Sequence, residues 1–306
     1  MHILVTGGTG FIGRHLIHRL LEEGEQVTVL SRQKAETVEK LLGSQVKTVH
    51  SFQDIPLDAV FDAIINLAGE GILDRRWSKS RKQVLVSSRV ELTHKLVNWI
   101  ERADYKPPVL ISGSAIGIYG SGIPAVGEVS QPLDESAAAG HDFAAKLCED
   151  WEKAALRADD LGIRVCRVRT GVVLHPSGGA LKKMLLPFRL GLGGVIASSR
   201  QMFSWIHMND MVNLLLFLLH TDSAKGAYNA AAPCPVDNYQ YTKALGQVIQ
   251  RPTVIPVPAF VLKTLLGEGA AMLLEGQNVV PKKAQSEGFE FTFPDLDSAL
   301  TSLLRY

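Results

Sequence analysis

The residues Thr6-Gly7-Gly8-Thr9-Gly10-Phe11-Ile12-Gly13 constrain this chain more than any others. They follow a short apolar run, Ile3 to Thr6. They open a segment in which Ile12, Leu16, Ile17, Leu20 and Leu21 share one helical face. Gly7 permits a tight strand-to-helix turn. Gly10 removes a side chain that would hold a pyrophosphate off the backbone, and Gly13 lets the helix lie close to the strand. The helix start then offers free N–H groups and the positive end of a dipole. Strand, glycine loop and helix in this order imply a dinucleotide-binding βαβ unit. The next strand-like run ends at Ser31-Arg32. An acidic residue there would bond a ribose 2′-hydroxyl. Arginine suits a 2′-phosphate, so the expected cofactor is NADP(H).

Gln26 to Ser31, Ala63 to Leu67, Val109 to Ser112 and Arg164 to Arg169 read as further strands. Their nearly continuous apolar character fits a parallel sheet covered on both faces. Between them lie helical patterns such as Val90, Leu92, Leu96, Val97 and Ile100. The alternation predicts right-handed crossovers and an α/β, Rossmann-type doubly wound parallel sheet. After Gly171 the texture changes. Gly178-Gly179 and Gly191-Leu192-Gly193-Gly194 break the pattern, and helical segments follow at Asp210 to His220, Asn238 to Gln250 and Pro258 to Leu274. The expected organisation is a cofactor-binding domain over 1–170 and a smaller, mostly helical substrate lobe over 171–306. Some later segments are expected to return to the first domain.

Lys plus Arg number 32 against 31 Asp plus Glu, so no global field draws the chain to nucleic acid. Arg75-Arg76-Trp77-Ser78-Lys79-Ser80-Arg81-Lys82 is basic locally, and reads as a loop and helix start rimming the cleft. The three cysteines, Cys148, Cys166 and Cys234, form no CxxC pair, which fits a reducing compartment. The apolar run Met211 to Leu219 is too short to span a bilayer, and the N-terminus does not read as a secretion signal. A cytoplasmic protein without a membrane partner is expected. His15 and His18 lack an accompanying carboxylate motif, so no metal is expected. Gly113-Ser114-Ala115 lacks the spacing of a hydrolase elbow.

The chain resembles the extended short-chain dehydrogenases/reductases, the superfamily of nucleotide-sugar epimerases and dehydratases. The resemblance rests on Thr6 to Gly13, Asn66-Leu67-Ala68-Gly69, Ser112 to Gly120 and Trp205 to Asp210. More narrowly it is similar to an epimerase-like subfamily with a C-terminal domain of unknown function. That likeness rests on Arg76-Trp77, Ser88-Arg89, Asp150-Trp151-Glu152, Arg169 to Leu174, Leu185 to Gly194 and Leu274 to Gln277. It implies cofactor contacts from Gly7, Gly10, Phe11, Ile12 and Gly13, from Ser31, Arg32, Leu67, Ala68 and Gly69, and from Arg89 and Val173. A homodimer is also implied.

The superfamily's chemistry uses a Tyr and a Lys four residues later on one helix. The stretch Gly140 to Glu152, where that pair belongs, contains no tyrosine; Phe143 and Leu147 hold the corresponding spacing. Tyr239 and Lys243 have the right spacing, but lie in a segment read as part of the second lobe. Ser112, Ser114, Tyr119, His141 and Lys146 could supply a substitute, and the groups expected to do so are Ser114, Tyr119 and Lys146. Two expectations follow. One is an NADP(H)-dependent oxidoreductase or epimerase-like enzyme acting on a small carbonyl or hydroxyl compound. The other is a catalytically silent NADP(H)-binding regulator or interaction module.

Overall fold

The computed structural model describes residues 1–121 and 131–305. Its first strands are β1 (His2–Thr6), β2 (Gln26–Leu30), β3 (Lys47–Val49), β4 (Ala63–Asn66), β5 (Val109–Ala115) and β6 (Arg164–Thr170). They are followed by β7 (Val172–Leu174), β8 (Met202–Phe203), β9 (Trp205–His207), β10 (Gly226–Ala230) and β11 (Val236–Asp237). Seven of these form one parallel sheet in the order β10-β6-β5-β4-β1-β2-β3. The order reverses between β1 and β4. A crevice opens at such a switch point, outside the carboxyl ends of the strands.

Helices α1 (Phe11–Glu22), α2 (Ala35–Leu42), α3 (Lys79–Val86), α4 (Leu92–Arg102) and α5 (Phe143–Leu156) supply the crossovers. The apolar stripe of α1, Leu16, Ile17 and Leu20, is fully buried with Ile3 and Val5 on one sheet face. Leu4, Ile64 and Leu110 point to the other face, against Leu96, Val97 and Ile100 of α4. Burying a side chain of this size contributes about 1.5–3 kcal/mol, so the two stripes fix how the helices lie on the sheet.

Beyond β6 come α6 (Gly179–Arg189), α7 (Met208–His220), α8 (Asn238–Val248), α9 (Ala259–Leu266), α10 (Ala271–Leu274), α11 (Lys282–Ser286) and α12 (Leu296–Leu304). A separate core joins Leu181, Leu185 and Phe188 of α6 to Trp205, Tyr241 and Leu300. The division at residue 170 is not clean. β10 returns to the main sheet beside β6, and α7, Ala284 and Phe289 belong to the first core. The segment expected as one helix from Pro258 to Leu274 is broken at Gly267, whose φ is +62°. Among the described residues no helix is long and apolar enough to cross a membrane.

Candidate cofactor and active site

The glycine loop lies at the carboxyl end of β1 and is backed by a row of buried polar groups. The sheet register sets Thr6 beside Asn66 and Asn66 beside Ser112. The Thr6 hydroxyl donates to Asn66 Oδ1 at 2.6 Å, and Asn66 Nδ2 donates to the Ser112 and Thr93 hydroxyls at 3.2 and 2.9 Å. Satisfied buried groups of this kind hold one strand arrangement beneath the loop. Gly7 has φ +72°, and a Cβ there would lie 2.5 Å from the Leu67 carbonyl. A Cβ on Gly13 would lie 2.4 Å from the Gly7 oxygen. Both positions therefore need glycine for the loop to close on itself and on β4.

Gly10 is the N-cap of α1 and supplies no side-chain cap. The first N–H groups of a helix lack intrahelical partners, so Phe11, Ile12 and Gly13 present donors and the dipole's positive end. A pyrophosphate fits this cradle. The Phe11 ring packs against Gly178 and Gly179, which ties the loop to the segment after Val173. Arg14, directly after the loop, keeps a buried Nε without a hydrogen-bond partner, a donor that the motif alone did not reveal.

At the end of β2, Ser31 is buried and its hydroxyl accepts from the Gln33 N–H at 3.2 Å. The Arg32 side chain is 88% exposed and reaches Glu70, with Nη2 3.1 Å from Oε1. Glu70 belongs to the loop after β4, together with Leu67, Ala68 and Gly69. Three groups grip that loop through its backbone. Arg89 Nη2 donates to the Glu70 carbonyl at 2.7 Å, Arg81 Nη2 donates to the Gly71 carbonyl at 2.6 Å, and the Ser88 hydroxyl accepts from the Glu70 N–H at 3.2 Å. Ser88 and Arg89 sit in a π-helical turn, Ser87–Glu91, between α3 and α4. The wider turn shifts them relative to a continuous α-helix, a device frequent at functional sites. The Arg89 guanidinium lies 5.4 Å from the Trp151 ring centre, and burial lowers its pKa. Arg81 was expected only as part of a basic rim of the cleft, and Glu70 was not singled out, because only the folded loop joins them.

Each of the three expected catalytic groups has polar partners within the chain. Ser114 donates to Glu152 Oε1 at 2.8 Å. Glu152 is buried on α5 and also accepts from Arg167 Nη1 and Arg169 Nε, both at 2.8 Å. Tyr119 accepts from Arg169 Nη1 at 3.0 Å and donates to Asn229 Oδ1 at 2.7 Å. Burial raises its phenol's pKa above the usual value. Lys146 is exposed on α5, paired with Asp150 at 2.8 Å and Glu149 at 3.3 Å, and these carboxylates hold its pKa above the ordinary range. Ser114 and Tyr119 thus belong to one buried network, and Lys146 to a solvated ion-pair cluster. Tyr239 and Lys243 lie on α8 of the second lobe.

A cavity of about 330 Å³ opens at the start of α5. Trp77, Phe143 and Met272 form its apolar wall, and Ser121, Asp142 and Glu268 are polar groups on it. Trp77 and Phe143 meet edge to face at 5.1 Å, with Lys82 Nζ 4.7 Å from the Phe143 ring centre. Asp142 caps α5, accepting from the Ala145 N–H at 2.8 Å, and accepts from the Ser121 hydroxyl at 3.0 Å. The cavity therefore has Phe143 on its wall near the helix start where the superfamily resemblance seeks a tyrosine.

Residues 3–231 match the NAD dependent epimerase/dehydratase family. The chain belongs to that family. Residues 257–303 match a domain of unknown function (DUF1731). An epimerase family protein SDR39U1 homolog, chloroplastic, from Arabidopsis thaliana is 39% identical, covering 100% of this chain and 87% of the relative. Epimerase family protein YfhF of Bacillus subtilis is 37% identical over 99% of this chain and 98% of its own. The crystal structure of human epimerase family protein SDR39U1 (isoform 2) with NADPH superposes with a TM-score of 0.88 at 35% identity, covering 99% of both chains. The family and the SDR39U1 structure agree with the Rossmann-like architecture seen here and mark the chain as a nucleotide-binding protein.

Proposed function

We propose that the protein binds NADP(H) and acts as an epimerase-like oxidoreductase on a small carbonyl or hydroxyl compound seated in the cavity beside Phe143. The observation that carries this reading is the fit between the glycine cradle at the uncapped start of α1 and Arg32 at the end of β2. Gly7, Gly10 and the N–H groups of Phe11, Ile12 and Gly13 would hold the pyrophosphate, and Ser31 and Arg32 the 2′-phosphate. Leu67, Ala68 and Gly69 would flank the adenosine half, Arg89 would brace that loop, and Val173 would meet the nicotinamide half. When bound, NADP(H) supplies the hydride. The chain's own part is to orient the two partners and exclude water through Trp77, Phe143 and Met272. The SDR39U1 structure with NADPH supports the cofactor choice, and the unpaired buried cysteines Cys148 and Cys166 support a cytoplasmic, reducing setting.

A second reading is a silent NADP(H)-binding module. The engagement of Ser114, Tyr119 and Lys146 in other bonds favours it. A fluorescence titration with NADPH and NADH side by side tests the shared premise. A preference of about tenfold or more for NADPH is expected, corresponding to about 1.4 kcal/mol. Equal binding would refute the role of Arg32. Oxidation of bound NADPH by a panel of carbonyl compounds then separates the readings: turnover supports the enzyme, and none across the panel supports the silent module.

A further inference from the structure

The second lobe carries an unusual outer face. Leu186 and Leu190 stand on the side of α6 opposite its buried stripe of Leu181, Leu185 and Phe188. The chain then runs alongside residues 251–257. Arg251 Nε donates to the Arg189 carbonyl at 3.0 Å, and the Val257 N–H donates to the Val195 carbonyl at 2.8 Å. This adjacency sets Leu190 and Leu192 near Val254 and Ile255, each of the four between 46% and 75% exposed. Helix α9 follows at once, and none of its eight residues is buried; Phe260 is 69% exposed. Large apolar side chains gathered this way mark an interaction surface.

Charge indicates what covers it. The whole chain balances its charges almost evenly, yet segments 179–200 and 238–266 contain no acidic residue. The first carries Lys182, Lys183, Arg189 and Arg200; the second carries Lys243, Arg251 and Lys263. Of these, Lys183 is answered by Asp74 from outside both segments. A groove lined by Lys243, Gln247, Gln250 and Arg251 opens beside Val254. A second copy of the chain docking symmetrically would set this cation-bearing face against itself, with no carboxylate from the same segments to answer it. Apolar tips beside cations, with amide and guanidinium donors in a groove, match the boundary between acyl chains and anionic headgroups.

We propose that this face docks the protein on an anionic phospholipid surface. Docking would be peripheral, because no described helix can span the bilayer. α6 starts against Phe11 of the glycine loop, and the Trp77 N–H donates to the carbonyl of Leu266 at the end of α9. The docking face thus adjoins both the cofactor cradle and the cavity.

Flotation of the full chain with phosphatidylcholine vesicles, with and without phosphatidylglycerol, tests this. The expected result is about tenfold or more stronger binding to the anionic vesicles, lost at high salt. The triple variant K182E/R189E/K263E should abolish it, and L190S/F260S should weaken it at constant charge. All five side chains are exposed, and unchanged circular dichroism would confirm folding. Equal or absent binding to both vesicle types would overturn the proposal. So would a dimer in sedimentation velocity that L190S/F260S dissociates, which would assign the face to self-association.

Discussion

The pairing of Arg32 with Glu70 permits a quantitative test of cofactor choice. Arg32 is 88% exposed, and its 3.1 Å contact with Glu70 is a surface ion pair. Such pairs contribute about 0–1 kcal/mol. Charge-assisted bonds to a 2′-phosphate contribute about 1.5–3 kcal/mol. The phosphate therefore wins, and Arg32 should exchange Glu70 for it. Arg32→Ala should weaken NADPH by about 10- to 150-fold and leave NADH nearly unchanged. Glu70→Gln removes both the competitor for Arg32 and a charge that repels phosphate. It should tighten NADPH by up to about fivefold, the equivalent of 1 kcal/mol, without altering NADH. In the Arg32→Ala background the part of that gain that comes from releasing Arg32 should vanish, while the part from removing a repelling charge remains. Fluorescence titration of the four proteins with both cofactors, at low and moderate salt, measures the cycle. Weaker NADPH binding by Glu70→Gln would refute the reasoning, as would an unchanged NADPH-to-NADH ratio in Arg32→Ala.

Three further outcomes are expected. Glu152→Ala leaves Arg167, Arg169 and Ser114 without their buried acceptor. It should cost about 3–5 kcal/mol, or roughly 5–8 °C in Tm for a chain of 306 residues; a drop under about 2 °C in calorimetry would contradict the network's importance. His207 caps α7 by accepting the Asn209 N–H at Nδ1, and burial lowers its pKa to about 4. The unfolded chain, titrating near 6.5, then binds the extra proton between those pH values. The contribution of His207 to stability should fall from about pH 6.5 to about pH 4, by about 3 kcal/mol in all, and be constant below. Urea midpoints across that range should show a shallower fall for His207→Gln, and an identical slope would argue against His207. Burial pushes the Cys148 thiol up to about 12, and Cys166 is buried too, while Cys234 is exposed. An aromatic disulfide reagent at mild alkaline pH should therefore titrate one thiol rapidly, and three after unfolding; two or more fast thiols in the native protein would be inconsistent with this packing.

The sheet was legible because its strands are apolar runs separated by helical periods, and the glycine loop because each of its glycines answers a local steric demand. β10 was not. Gly226-Ala227-Tyr228-Asn229-Ala230 has poor strand character by composition, and it extends because β6 offers an unpaired edge. β3 is three residues long and gives too little pattern to read. The candidate site divides in the same way. Arg32 followed from its place after β2, whereas Glu70 meets Arg32, and Arg81 meets Glu70, through contacts that sequence spacing does not encode. Glu152 entered the sequence reading only through the likeness at Asp150-Trp151-Glu152, with no role attached. The signal that could have revealed it was the alternation of Arg167 and Arg169 in a central strand, since cations there require a buried acid.

The return of β10 to the sheet has a consequence for biosynthesis. β6 ends at Thr170 and its partner does not begin until Gly226. At about 5–20 residues per second, the ribosome takes roughly 3–11 seconds to make the intervening chain. During that interval β6 presents an open edge beside a core that still lacks α7. Exposed edges template pairing with other chains. A nascent chain stalled between these points should therefore be more aggregation-prone than the complete one.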